Sequence, residues 1–123
     1  MTIEPQGAVP LCMGDKREFV CTVEGIFAEW TVSQDGPNIP YNFMRIVQNT
    51  VQMSSTMIVN YTTFNFSRIS VLNSLPLVTS LIISNVTSDL NGTMVTCRDR
   101  ITQDSSSALL QVHIGDKGIL QGR

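Results

Sequence analysis

The sequence predicts an all-β sandwich, on three observations. Turn signals recur along its length, as Gly14-Asp15, Asp35-Gly36-Pro37, Asn73-Ser74, Asn91-Gly92 and Gly115-Asp116. The runs between them alternate apolar and polar residues with a period of two, which sends one set to a buried face and the next to an exposed one. No segment keeps apolar residues at i, i+3 and i+4 long enough to make an amphipathic helix. The 123 residues suit one domain, and 42% hydrophobic against 15% charged residues is apolar enough for a folded core.

Each run can be read in turn. Phe19 to Val23 points Phe19, Cys21 and Val23 one way, and Phe27 to Ser33 does the same with Ala28, Trp30 and Val32. Tyr41 to Val51 and Thr56 to Tyr61 are weaker runs, followed by Thr63 to Leu72 with Phe64 and Phe66 aligned. Val78 to Val86 sets Leu81 and Ile83 against Ser80, Ile82 and Ser84, and Thr93 to Arg98 sets Val95 and Cys97 against Met94 and Thr96. Ser105-Ser106-Ser107 suits a hairpin loop, after which Ala108, Leu110, Val112 and Ile114 share one face. Short strands at this spacing belong to a sandwich. The domain spans 1–114, and 115–123, with three glycines, Lys117 and Arg123, reads as a flexible tail or linker.

Composition excludes most chemistry. The net charge is −2 with no basic cluster, so nucleic acid, whose phosphates need clustered cations, is not expected as a partner. The single histidine, His113, and three cysteines fall short of an ordinary Cys/His zinc site, and a Ser-His-Asp triad would have to use His113. Asp35, Asp89, Asp99 and Asp104 sit in turns, where Asx geometry favours aspartate, and no calcium-loop spacing is present. No glycine-rich loop opens a helix. The reading is a protein that is not an enzyme and carries no cofactor or metal. No apolar run approaches the roughly 18–20 residues that cross a bilayer, and no basic region followed by a hydrophobic stretch opens the chain. No direct membrane contact is expected within this segment, and any targeting segments are expected to lie outside it.

The informative triplet is Cys21, Trp30 and Cys97: two cysteines mid-strand on the inward side, and a tryptophan on the strand after the first. With the stretch from Leu81 through Asn85, Asp89 and Gly92 to Cys97, it resembles the immunoglobulin superfamily over essentially the whole chain from Val9 to Ile114. The resemblance implies a Greek-key sandwich of two antiparallel sheets joined by a Cys21–Cys97 disulfide, with Trp30 packed on it and Leu81 and Val95 in the core. The long interval between the cysteines favours variable-type order, with Tyr41 to Val51 as strand C′ and strand C″ near Gln52 to Met57. Two buried free thiols, as in a cytosolic β domain, are the alternative for Cys21 and Cys97. Cys12 is the odd cysteine, read as a buried thiol near strand A or as a bridge to a neighbouring domain or a second copy.

The chain departs from the family pattern in three places. Val95 stands where a tyrosine usually anchors the corner before strand F, and Asn91 replaces the usual aspartate partner of an arginine, leaving Arg68 to reach Asp89. The last strand lacks the G-x-G bulge of antigen-receptor domains, which points to a receptor or adhesion domain. The Leu90-Asn91-Gly92-Thr93 turn and a cysteine just ahead of strand B look similar to ectodomain modules of early-animal surface receptors, including receptor tyrosine kinases.

Four N-x-[S/T] sequons begin at Asn60, Asn65, Asn85 and Asn91. They read as N-glycosylation sites, and as a bland alternative they reflect the abundance of these residues in β proteins. None falls on strands C, C′, F or G. On that sheet Phe27, Glu29, Thr31, Met94, Thr96, Arg98, Leu109, Gln111 and His113 should face outward, with Met44 and Ile46 joining them from C′. An apolar patch of Phe27, Met94 and Leu109 rimmed by Arg98, Glu29 and His113 has the make-up of a protein-binding face. The expectation is an extracellular, N-glycosylated recognition domain of a cell-surface receptor or adhesion protein, outside the plasma membrane or secreted. Its partner would be a protein, homophilic or heterophilic. The alternatives are a structural spacer module, and a secreted protein binding glycan or microbial surfaces through the loops at Glu24 to Gly25 and Asp99 to Ser107.

Overall fold

A computed structural model of the chain describes residues 2–25, 27–34, 45–47, 54–59, 61–70, 76–99 and 101–113. Its strands are β1 (Thr2–Glu4), β2 (Gly7–Leu11), β3 (Arg17–Val23), β4 (Phe27–Gln34), β5 (Arg45–Val47), β6 (Ser54–Val59), β7 (Thr62–Arg68), β8 (Leu77–Ser84), β9 (Thr93–Asp99) and β10 (Ser105–Val112). They pair into two five-stranded sheets, ordered β1-β3-β8-β7-β6 and β2-β10-β9-β4-β5. The chain changes sheet at β1–β2, β2–β3, β3–β4, β5–β6 and β8–β9, with a 3₁₀ turn at Ser88–Leu90 in the last of these crossings. This is an immunoglobulin-like Greek-key sandwich, with β5 as the extra strand that variable-type order adds beyond β4.

Two features depart from the sequence reading. The first strand is divided between the sheets: β1 pairs with β3, and after Pro5 the chain joins the other sheet as β2, which runs parallel to β10. The remaining described pairs are antiparallel. Gly7, at the switch, has φ 76°, which glycine adopts without steric cost. The expected C″ segment also lies elsewhere. β6 pairs with β7, from Ser54↔Ser67 to Val59↔Thr62, and so extends the sheet of β3. Only two residues separate the strands, so closing this hairpin costs little chain entropy, although Tyr61 takes a left-handed φ of 73° at some steric cost. The rest of the 41–51 stretch and the 115–123 tail lie outside the described residues.

The inner faces carry the residues that alternation assigned to them. Phe19, Cys21, Val23, Ala28, Trp30, Val32, Phe64, Leu81, Ile83, Val95, Cys97, Ala108 and Leu110 are fully buried. Cys21 and Cys97 form the inter-sheet disulfide with Cα atoms 6.4 Å apart. Trp30 is the register partner of Cys97, and Thr79 that of Cys21. The indole Nε1 donates to Thr79 Oγ1 at 2.9 Å, so a second tie crosses the sandwich directly beside the disulfide. The Phe66 ring lies 6.4 Å from the indole, tilted by 53°. Val95 fills the corner position with an apolar side chain, and Arg68 ends β7 with its side chain buried.

The turn between β9 and β10 is shorter than expected, because Ser105, Ser106 and Ser107 belong to β10. Asp99 makes this possible. Its carboxylate accepts the backbone N–H groups of Ile101 (2.8 Å) and Thr102 (3.2 Å) through Oδ1, and that of Gly25 (3.1 Å) through Oδ2. Its own backbone closes the turn, N to Asp104 O and O from Gln103 N, each at 2.8 Å. The Asx geometry foreseen for the turn aspartates is present here, and it also ties the loop before β4 to the loop after β9. A Cβ at Gly25 would lie 2.7 Å from Asp99 Oδ2, so a larger residue there would have to displace this carboxylate. Asp99→Ala is expected to cost about 2–3 kcal/mol in urea unfolding, because three N–H groups lose a charged acceptor. A loss below about 0.5 kcal/mol, the level of an ordinary surface change, would show that the loops hold themselves.

Candidate protein-binding face

The outer face of the β2-β10-β9-β4-β5 sheet is organised by register into transverse rows, since directly paired residues on neighbouring strands share a face. One row runs Ala8, Leu109, Met94, Ser33. The next runs Ser107, Thr96, Thr31, and the third Ser105, Arg98, Glu29. The first row is the apolar one: Ala8 and Met94 are exposed and Leu109 half-buried, with Pro10 and Gln111 paired and exposed just beyond. The middle row is hydroxyl-rich, and the Thr96 and Ser107 hydroxyls share a hydrogen bond of 2.9 Å. Between the second and third rows lies a concavity of about 360 Å³ lined by Thr31, Thr96, Arg98 and Ser105.

The face is therefore more polar at its centre than the sequence suggested, and several expected positions change. Glu29 is not an exposed rim residue. Its side chain is only 7% exposed and accepts a 2.8 Å hydrogen bond from Arg98 Nη2, an ion pair in which the guanidinium side chain remains 36% exposed. The Arg98 guanidinium, paired with it across β4 and β9, makes the burial of this carboxylate tolerable. Arg98 accordingly belongs to the middle of the face. Ile46 pairs in register with Ala28, and its side chain lies outside the described residues. Phe27 begins β4 opposite Val47, but its side chain and Met44 lie outside the described residues. His113 is exposed just past β10, where its N–H donates to Leu11 O at 2.9 Å.

The described sequon asparagines lie off the strands of this face. Asn65 lies in mid-β7 of the opposite sheet, paired with Thr56, whose hydroxyl donates to Asn65 Oδ1 at 3.3 Å. Asn85 and Asn91 are exposed on the connection between β8 and β9. Asn85, at φ 58°, donates through Nδ2 to Tyr61 O (2.8 Å), and Asn91 Oδ1 accepts the Val112 N–H (2.9 Å). A glycosylated amide retains one N–H and its oxygen, so both contacts are compatible with a glycan. Asn60 lies outside the described residues.

Cys12 is exposed in the turn after β2, which corrects the reading of it as a buried thiol. The turn is closed by Asp15, whose Oδ2 accepts the Cys12 N–H and whose N–H donates to Cys12 O, and Gly14, at φ 86°, donates its N–H to Val86 O. Among the described residues, no group of three His, Cys, Asp or Glu could hold a metal ion, and no helix is long and apolar enough to cross a membrane.

Sequence reasoning found the outward positions of β9 and β10 but missed the ion pair, the concavity and Asp99's ties between loops. The Glu29–Arg98 contact joins residues 69 apart, and only strand adjacency reveals it. No protein-family model and no curated protein matches the sequence.

Proposed function

We propose that this is an extracellular recognition domain of the immunoglobulin superfamily, part of a cell-surface receptor or adhesion protein or else secreted, which binds a protein partner through the outer face of the β2-β10-β9-β4-β5 sheet. The observation that carries the reading is one-sidedness. Every sequon asparagine among the described residues lies on the opposite sheet or at the β8–β9 connection, and none on the strands of this face. Glycans there would cover the rest of the domain and leave this sheet bare. The disulfide agrees with an oxidising compartment, and the mixture of an apolar row with a polar centre agrees with a non-obligate protein interface.

A glycan placed on the face tests it. Met94→Asn completes a sequon with Thr96, and Thr31→Asn completes one with Ser33, so each puts a bulky polar wedge on the face. The domain, secreted from animal cells and assembled into tetramers, is expected to bind cells displaying its partner. Binding should be lost in both variants, while mass spectrometry finds glycan at Asn65, Asn85 and Asn91 of the parent protein. If the partner is a second copy, sedimentation equilibrium will show a dimer that both variants abolish. Binding that survives a glycan at position 94 would overturn the choice of face.

A further inference from the structure

We infer that the concavity between Thr31, Thr96, Arg98 and Ser105 is a carboxylate-accepting subsite, which receives an acidic side chain of the protein partner; this rests on the proposed use of the face. The ion pair beside it is asymmetric. Glu29 is covered and Arg98 is not, at 7% and 36% side-chain exposure, so an approaching molecule meets the cation's donors and not the acid. Glu29 Oε1 engages Nη2 at 2.8 Å, which fixes the guanidinium before any ligand arrives. The guanidinium has five N–H donors in a planar fork that matches a carboxylate, and a pre-positioned fork loses less freedom on binding than a mobile side chain.

The walls suit the same ligand. Thr31, Thr96 and Ser105 bring hydroxyls to the walls beside Arg98, and among the described residues no acid lines the space. The Thr96–Ser107 hydrogen bond orients one of those hydroxyls across β9 and β10. A volume of about 360 Å³ is at the small end of ligand pockets, ample for an aspartate or glutamate side chain. The apolar row of Ala8, Leu109 and Met94 lies on the far side of the hydroxyls, so an acidic residue flanked by an apolar one would meet both.

The test is an NMR titration of the ¹⁵N-labelled domain with N-acetylglutamate α-amide, whose only carboxylate is the side chain's, against sodium chloride at matched ionic strength. Saturable shifts at Thr31, Thr96, Arg98 and Ser105 are expected. Arg98→Gln should weaken them about tenfold, the equivalent of one charge-assisted hydrogen bond, and Thr96→Val about threefold. Thr96→Val leaves the ion pair intact, so it keeps the test open if Arg98→Gln, which strands Glu29, fails to fold. Shifts no different from those with chloride would overturn the subsite without touching the choice of face, which the glycan at position 94 tests separately. Tighter saturation by N-acetylneuraminic acid would also overturn it, assigning the concavity to an acidic sugar in place of a protein side chain.

Discussion

Replacing Cys21 and Cys97 together by alanine is expected to lower the unfolding free energy by about 4–5 kcal/mol. The bond closes a loop with a sequence separation of 76, and on the chain-entropy account a loop of that length restricts the unfolded chain by about 4.5 kcal/mol at 25 °C. Domains of this size hold about 5–15 kcal/mol in all, so the variant should sit close to unfolding. Both cysteines are fully buried, and the lost sulfur contacts add to the deficit. Urea unfolding of the parent, with and without a reductant that opens the bond, should show the same displacement. Cys12→Ser is the control. That thiol is exposed in a turn, and its loss should move the midpoint by no more than about 0.5 kcal/mol. A double variant that loses less than about 1.5 kcal/mol would mean that the packed sheets hold together without the cross-link.

The same disulfide shows why part of this fold can be read from sequence. Alternation along one strand is local, and it assigned Trp30, Leu81, Val95 and Cys97 to the interior, where all are fully buried. Residues that must be inside because of their neighbours on the chain were therefore legible. Residues that are inside because of a neighbour on another strand were not. Glu29 occupies an outward position by alternation and is covered because Arg98 lies beside it. Thr79 is polar on an inward position, and its burial makes sense only once the indole N–H reaches it. The same distinction separates the strands. β3, β4, β8 and β9 announce themselves by period two, whereas β1 and β2 are short, flanked or interrupted by Pro5 and Pro10, and defined by their partners. β6 overlaps both the weaker run from Thr56 to Tyr61 and the C″ stretch expected near Gln52 to Met57, and a two-residue connection to β7 decides its sheet. Of the proposed face, the outward positions Met94, Leu109 and Thr96 were visible, while the concavity needed three strands in register.

Trp30→Ala is expected to cost about 3–5 kcal/mol, since the largest fully buried side chain would leave a cavity at the centre of the sandwich. Volume alone does not make tryptophan the residue for this position. Phenylalanine would fill much of the space, yet its ring cannot donate to Thr79, so Trp30→Phe leaves a buried hydroxyl without its indole partner. Thr79→Val is the converse change: nearly the same shape, an orphaned indole N–H, and an expected loss of about 1–3 kcal/mol. Combining Trp30→Phe with Thr79→Val removes both polar groups at once, and an apolar pair of similar shape carries no desolvation debt. The double variant should therefore be more stable than the sum of the single losses implies, by about 1 kcal/mol of coupling. Urea unfolding of the four proteins measures that coupling directly. Strict additivity would show that the 2.9 Å contact contributes nothing and that the tryptophan is held by packing alone, against Phe66 and the disulfide. A measured coupling would give the sandwich two ties side by side, one covalent through Cys21 and Cys97 and one hydrogen-bonded through their register partners. Sheets fastened in this way at their middle keep β4 and β9 fixed relative to one another, and the rows of the outer face depend on that registration.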